Sequence, residues 1–195
     1  MKKSIILSTC LSQIIFLGMI PIALELFAYL HPVVIAVIWV GITFLCFYFV
    51  FLLRKHHINV HKHTLNAIFI LYTLALLVLM FNRPSDPFYG QINLTPFSTV
   101  NFYLSGRVSP LIAFYNLTAN IVLFMPYGVL AKLQKLTLLK MMSLTTLVIA
   151  SLEALQLLTR RGNFDIDDLI LNLFGVFLGG LLFPLFNLVF KMKNT

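Results

Sequence analysis

Six long apolar runs constrain this chain more than any other feature. They fall at roughly 4–30, 33–53, 64–81, 110–131, 138–158 and 166–190. An α-helix rises ~1.5 Å per residue and the hydrocarbon core of a bilayer is ~30 Å thick, so ~20 apolar residues cross it. Each run is long enough, or nearly so. Composition agrees: 60% of residues are hydrophobic, 10% are charged and the mean hydropathy is +0.97. A soluble domain carries about 25% charged residues. The expected fold is therefore all-α, a polytopic transmembrane helix bundle of about six spans in the cell membrane. The net charge of +8 would suggest nucleic acid in a soluble protein. Here the positive-inside bias accounts for it, and no nucleic-acid partner is expected.

The opening "MKKSIILSTCLSQIIFLG" has the basic start of a signal peptide. Its apolar run continues to about Leu30, too far for such a segment, so an uncleaved first helix is expected. Cys10 and Cys46 lie inside apolar runs and read as small hydrophobes, not as a disulfide. "HP" at 31–32 marks a turn. "RKHHINVHKH" at 54–63 separates the second and third runs. His57 and His61 there are spaced i,i+4, but no acid or cysteine stands nearby, so a basic juxtamembrane loop is expected and a metal site is not. The division expected is 1–63, an additional hairpin and basic loop, and 64–195, the main membrane domain.

The charges sort by side. With the N-terminus inside, the inner cations are Lys2, Lys3, Arg54, Lys55, Lys62, Lys132, Lys135, Lys140, Lys191 and Lys193. The outer ones are Arg83, Arg107, Arg160 and Arg161. Ten against four predicts N-in and C-in. All four outer cations are arginine, and four of the six acids, Asp86, Asp165, Asp167 and Asp168, fall outside with them. Arginine's planar fork suits bidentate contact with carboxylate or phosphate, whereas lysine is a point charge. The inner lysines read as topology determinants and the outer groups as a structured polar cluster.

Helical periodicity gathers the polar residues into seams. On the fifth run Glu153, Gln156 and Arg160 fall within about 60° of one another. On the sixth, Asp165, Asp168, Asn172, Gly175 and Gly179 share a stripe about 80° wide, with Asp167 off it. The fourth run carries Asn116, Asn120 and Tyr127 along one stripe. Asp165 and Asp168 also have the N-cap and N3 spacing of a helix start. Capping leaves Asn172 and Glu153 unexplained, and a carboxylate at bilayer depth costs at least ~2.5 kcal/mol on insertion scales and so faces the bundle interior. Either a structural ion cluster or a ligand site fits. Gly175 and Gly179 form GxxxG, expected to pack within the bundle. Pro126 is expected to kink the fourth helix.

Three stretches in order, "NLTPFSTV" (93–100), "NIVLFMPYGVL" (120–130) and "EALQLLTRRGNFDIDDLILNLFGVFLGG" (153–180), resemble the VanZ-like family of bacterial membrane proteins. The resemblance covers roughly residues 82 to 185. It carries over Asn93, Pro96, Phe97, Asn120, Pro126, Gly128, Glu153, Gln156, Arg160, Asp165, Asp168, Asn172 and Gly175. It implies a protein associated with resistance to teicoplanin and related lipoglycopeptides. The first two runs lie outside it.

The combined expectation is an outward-facing polar pocket that binds an anionic amphiphile. Arg83, Arg107 and Arg160 would meet phosphate or carboxylate, with Asn93, Asn120, Glu153, Gln156, Asp165, Asp168 and Asn172 around them. Partners of the right chemistry are membrane lipids, a lipoglycopeptide or a lipid-linked cell-wall precursor. No cofactor and no metal is called for, and nothing selects an oligomeric state. Two rivals stay open. "DIDD" with Asn172 could hold Mg²⁺ for a lipid (pyro)phosphate enzyme using water as nucleophile and Glu153 as base. Glu25 and Glu153 could serve a proton-coupled lipid or drug transporter.

Overall fold

The computed structural model describes residues 2–27, 33–82 and 90–193, with backbone alone for 22–27, 33, 34 and 37. Seven helices form among them: α1 (Lys2–Phe27), α2 (Val33–Leu53), α3 (Lys62–Phe81), α4 (Ser98–Leu104), α5 (Pro110–Leu133), α6 (Leu138–Leu158) and α7 (Ile166–Val189). Four short strands join them: β1 (Ile58–His61), β2 (Ile92–Asn93), β3 (Phe164–Asp165) and β4 (Phe190–Lys193). The fold is all-α in character and membrane-embedded. Five helices are long and apolar enough to cross a bilayer, and α2 holds a shorter apolar segment, Ile38–Leu53. The six apolar runs all became helices. α4 and the strands are additions that no apolar periodicity announced.

Three helices end the same way. The residue after the C-cap takes a left-handed conformation at Lys55 (φ 53), Lys135 (φ 58) and Arg160 (φ 53). In α6 the Arg160 amide donates to the carbonyl of Leu157 at 3.2 Å and that of Arg161 to Gln156 at 2.9 Å. This is the Schellman arrangement, where glycine is usual because a side chain costs ~1–2 kcal/mol there. A cation is the substitute at each stop. Its charge lies beside the negative end of the helix dipole.

The chain divides into two compact units, Met1–Asn66 with Leu185–Thr195, and Ala67–Pro184. In the first, α1 and α2 form an antiparallel hairpin. Arg54 Nη1 donates to Ser4 Oγ at 3.3 Å and Trp39 Nε1 to Gln13 Oε1 at 3.1 Å. Ser4, Ser8 and Ser12, one per turn, are fully buried. Such small residues permit close helix approach, and Ser8 satisfies its hydroxyl on the Ser4 carbonyl at 2.8 Å. β1 pairs with β4 in parallel, Ile58 opposite Phe190 through His61 opposite Lys193. Phe190 stacks on Phe44 at 5.7 Å.

In the second unit, α5 and α7 run parallel and very close. A methyl added at Gly175 would overlap the carbonyl of Ile121, one at Gly179 that of Met125, and one at Gly128 that of Val176. The GxxxG pair thus packs inside the bundle, as expected, and α5 supplies a third glycine to the seam. α5 continues as helix through Pro126. Leu76, Phe124, Ala131, Met141, Ile149 and Val176 form the buried core beside this crossing. α3 is tied to α5 by Tyr72 Oη donating to the Leu123 carbonyl at 2.6 Å and Tyr127 Oη donating to Thr73 Oγ1 at 3.0 Å.

Candidate functional site

The polar residues of the second unit collect at the end where α5 and α7 begin. β2 and β3 lie in parallel there, Ile92 opposite Phe164 and Asn93 opposite Asp165. The Phe164 amide donates to the Gln91 carbonyl at 2.9 Å and the Gly90 amide to Gly162 at 3.2 Å. This small ladder fixes the loop after α3 against the loop before α7, and it brings Asn93 to Asp165 across 72 residues of sequence.

Asp165 is the N-cap of α7, accepting the Asp167 amide at 2.9 Å. The capping reading is therefore correct for this residue. Its carboxylate also accepts Thr99 Oγ1 at 2.5 Å and Asn93 Nδ2 at 3.3 Å. Asn93 in turn donates to Ser98 Oγ at 2.7 Å and accepts the Thr95 amide at 3.2 Å, which sets the turn into α4.

Asp167, given no role by the helical wheel, is the most buried acid described, at 1% exposure. Its Oδ1 accepts the Phe97 amide at 2.5 Å, and its Oδ2 accepts those of Thr99 at 2.8 Å and Val100 at 3.1 Å. It caps α4 from another helix. The N-cap residue of α4, Phe97, has φ 63 and offers no side-chain oxygen. A helix start without its own cap is a signal that an acid elsewhere is required, but it names no partner.

The remaining residues sit in separate groups. Asp168 Oδ1 accepts Asn120 Nδ2 at 2.5 Å, joining α7 to α5. The fourth-run stripe is divided: Asn120 meets α7, Tyr127 meets α3, and Asn116 donates to its own helix at the Ile112 carbonyl, 2.9 Å. Asn172 is 2% exposed, and its Oδ1 is buried with no hydrogen-bond partner among the described residues. On α6, Glu153 and Gln156 are both buried. Gln156 Nε2 donates to the Met80 carbonyl at 2.9 Å, and its side chain fills the space over Gly162.

Arg160 corrects the sequence reading. α6 stops at Leu158, so Arg160 is not on the helix and does not continue the Glu153–Gln156 face. It is exposed, with its Cγ 4.0 Å from where a Cβ at Gly90 would stand. The helical wheel failed because it extrapolated 100° per residue past a C-cap. Arg107, in the loop between α4 and α5, is exposed too. Arg83, Asp86 and His31 lie outside the described residues, as does the side chain of Glu25.

Chemically, the knot at this end saturates two carboxylates with neutral donors. Every bond described for Asp165 and Asp167 comes from an amide, a hydroxyl or a backbone N–H. Among the described residues no three His, Cys, Asp or Glu side chains form a metal-binding group. The family described as VanZ/LLP1 matches residues 69–187 of the chain. No curated protein and no solved structure matches it.

Proposed function

This chain belongs to the VanZ/LLP1 family, and on that footing we propose that it contributes to tolerance of teicoplanin-type lipoglycopeptides at the bacterial cell envelope. It does so by holding an anionic amphiphile at the polar end of the second unit. The observation that carries the reading is the uneven satisfaction of charge there. Asp165 and Asp167 are occupied in capping and turn formation, while Arg107 and Arg160 remain exposed. With no ion pair to either arginine among the described residues, a guanidinium fork is available to a phosphate or carboxylate head. Asn172, one turn beneath Asp168, offers a buried acceptor to a hydroxyl or amide of the same ligand. The apolar bundle accommodates the tail. A lipid-linked wall precursor and the drug itself share this head-and-tail chemistry.

The test uses the backbone of Arg160. Arg160→Gly removes the guanidinium while relieving a left-handed φ of 53, so it should not lower the amount of folded protein. Arg160→Lys keeps the charge and loses the fork. Both should reduce teicoplanin tolerance at matched membrane levels, with ligand affinity falling by roughly tenfold or more for a lost charge-assisted bond. Full tolerance in the double variant Arg107→Gln, Arg160→Gly would sink the proposal.

A further inference from the structure

We propose that the first unit carries a binding site for an anionic phospholipid, independent of the polar end of the second unit and of every residue invoked there. The site has an apolar part and a charged part, and the β1–β4 ladder joins them.

The apolar part is a groove of about 340 Å³ lined by Trp39, Val40, Phe44, Phe47, Ile58 and Phe190, with the Thr43 side chain among them. Thr43 donates its hydroxyl to the Trp39 carbonyl at 2.8 Å, so the groove presents no unsatisfied donor. From Trp39 to Phe47 it follows α2 for about 12 Å at 1.5 Å per residue, the scale of a partly extended acyl chain. It ends at the first ladder pair, Ile58 opposite Phe190.

The charged part begins on the other face of that ladder. Exposure alternates along both strands: Ile58, Val60, Phe190 and Met192 are half-buried, while Asn59, His61, Lys191 and Lys193 are exposed. The parallel register sets Asn59 beside Lys191 and His61 beside Lys193, so the ladder has one apolar face and one basic face. More cations gather at the same end. The Arg54 bond to Ser4 brings the α1 start, with Lys2 and Lys3, to the end of α2 and Lys55, and Lys62 follows β1 directly. All seven lysines and arginines are exposed. The one acid of this unit, Glu25, is 21 residues from Ser4 along the same chain, roughly 30 Å away at helical rise.

Any lipid can lay a chain in an apolar groove. A surface with seven cations and no acid selects among head groups, because each Lys or Arg near a membrane surface favours an anionic lipid. The occupant is therefore a phospholipid with a net negative head, such as phosphatidylglycerol, and not a zwitterionic one.

Trp39 is the sole tryptophan of the chain and lines the groove, so its fluorescence reports occupancy. The full-length protein is reconstituted into phosphatidylcholine vesicles containing a minor fraction of phosphatidylglycerol brominated near the chain ends. In the reciprocal preparation, brominated phosphatidylcholine is the minor lipid in phosphatidylglycerol. The site predicts stronger quenching in the first case, with a preference of roughly fivefold for each cation engaged. Lys191→Gln with Lys193→Gln should reduce that preference while leaving the backbone ladder and baseline quenching in place. Added salt should reduce it in the parent protein. Equal quenching by the two brominated lipids at equal mole fraction overturns the proposal, since it reports bulk lipid only. A preference undiminished by the lysine replacements overturns the assignment to the ladder.

Discussion

Asp167 shows how much one buried carboxylate can organise. It lies a hundred degrees off the seam shared by Asp165 and Asp168, and for that reason it reaches α4 and not α5. Three backbone N–H groups of the Phe97–Val100 turn converge on it, and without it all three would lose their acceptor at a helix start that has no capping side chain of its own. Hydrogen bonds to a charged group are each worth ~1.5–3 kcal/mol. Asp167→Ala should therefore destabilise the protein by ~3 kcal/mol or more, and Asp167→Asn by less, since one amide oxygen remains. Thermal melting in detergent, with protease sensitivity at Arg107 as a local readout, measures both. Melting of Asp167→Ala at the parent temperature would refute this account. Asn116, Asn120 and Asn172 were legible as polar seam residues, and Asn93 through the family resemblance. Their partners were not, because Asn93 and Asp165 meet across a two-residue ladder that carries no hydrophobic pattern.

At the scale of elements, the α5–α7 crossing decides the unit that holds the candidate site. Glycines at 175 and 179 let the carbonyls of Ile121 and Met125 approach where side chains would otherwise stand. Without a hydrophobic driving force between helices in lipid, such close packing is a main source of association. Gly179→Ala forces the helices apart and should cost about 1–3 kcal/mol, the range for overpacking a core. Gly18 on α1 has nothing within 4 Å of an added methyl, so Gly18→Ala should be neutral or mildly stabilising through helix propensity. Comparing the melting temperatures of the two variants separates packing from propensity. Equal, small effects would mean the crossing is looser than described. The GxxxG spacing predicted a close approach, and Gly128 completed it from a different helix, at a position where one glycine beside Pro126 gave no repeat to read.

For the molecule as a whole, the charge asymmetry predicts an orientation that can be measured. Ten cations against four assign both termini and the 54–63 segment to the cytoplasm. Ser105 and Asn163, both exposed in the second unit, should then face outward, and exposed Asn59 inward. With Cys10 and Cys46 replaced, single cysteines at these three sites distinguish the arrangements. An impermeant thiol reagent should label Ser105→Cys and Asn163→Cys in intact cells and Asn59→Cys only after lysis. The opposite pattern would invert the topology and move the proposed amphiphile site to the cytoplasmic face.

The positions of the six long helices were determined by the sequence alone, because twenty apolar residues in lipid must satisfy their own backbone and can do so only as helix. The same physics made the membrane assignment, the close approach at Gly175 and Gly179, and the capping role of Asp165 legible before any fold was known. Tertiary structure decided the rest. It ended α6 at Leu158 and turned Arg160 out of the face it was assigned to, since a left-handed stop breaks the 100° rotation on which the assignment depended. It also recruited Asp167 to a helix whose own start has no capping side chain, and paired β1 with β4. Those partnerships join positions about seventy or more than a hundred residues apart, and no local period encodes which distant backbone group a buried carboxylate or a short strand will meet.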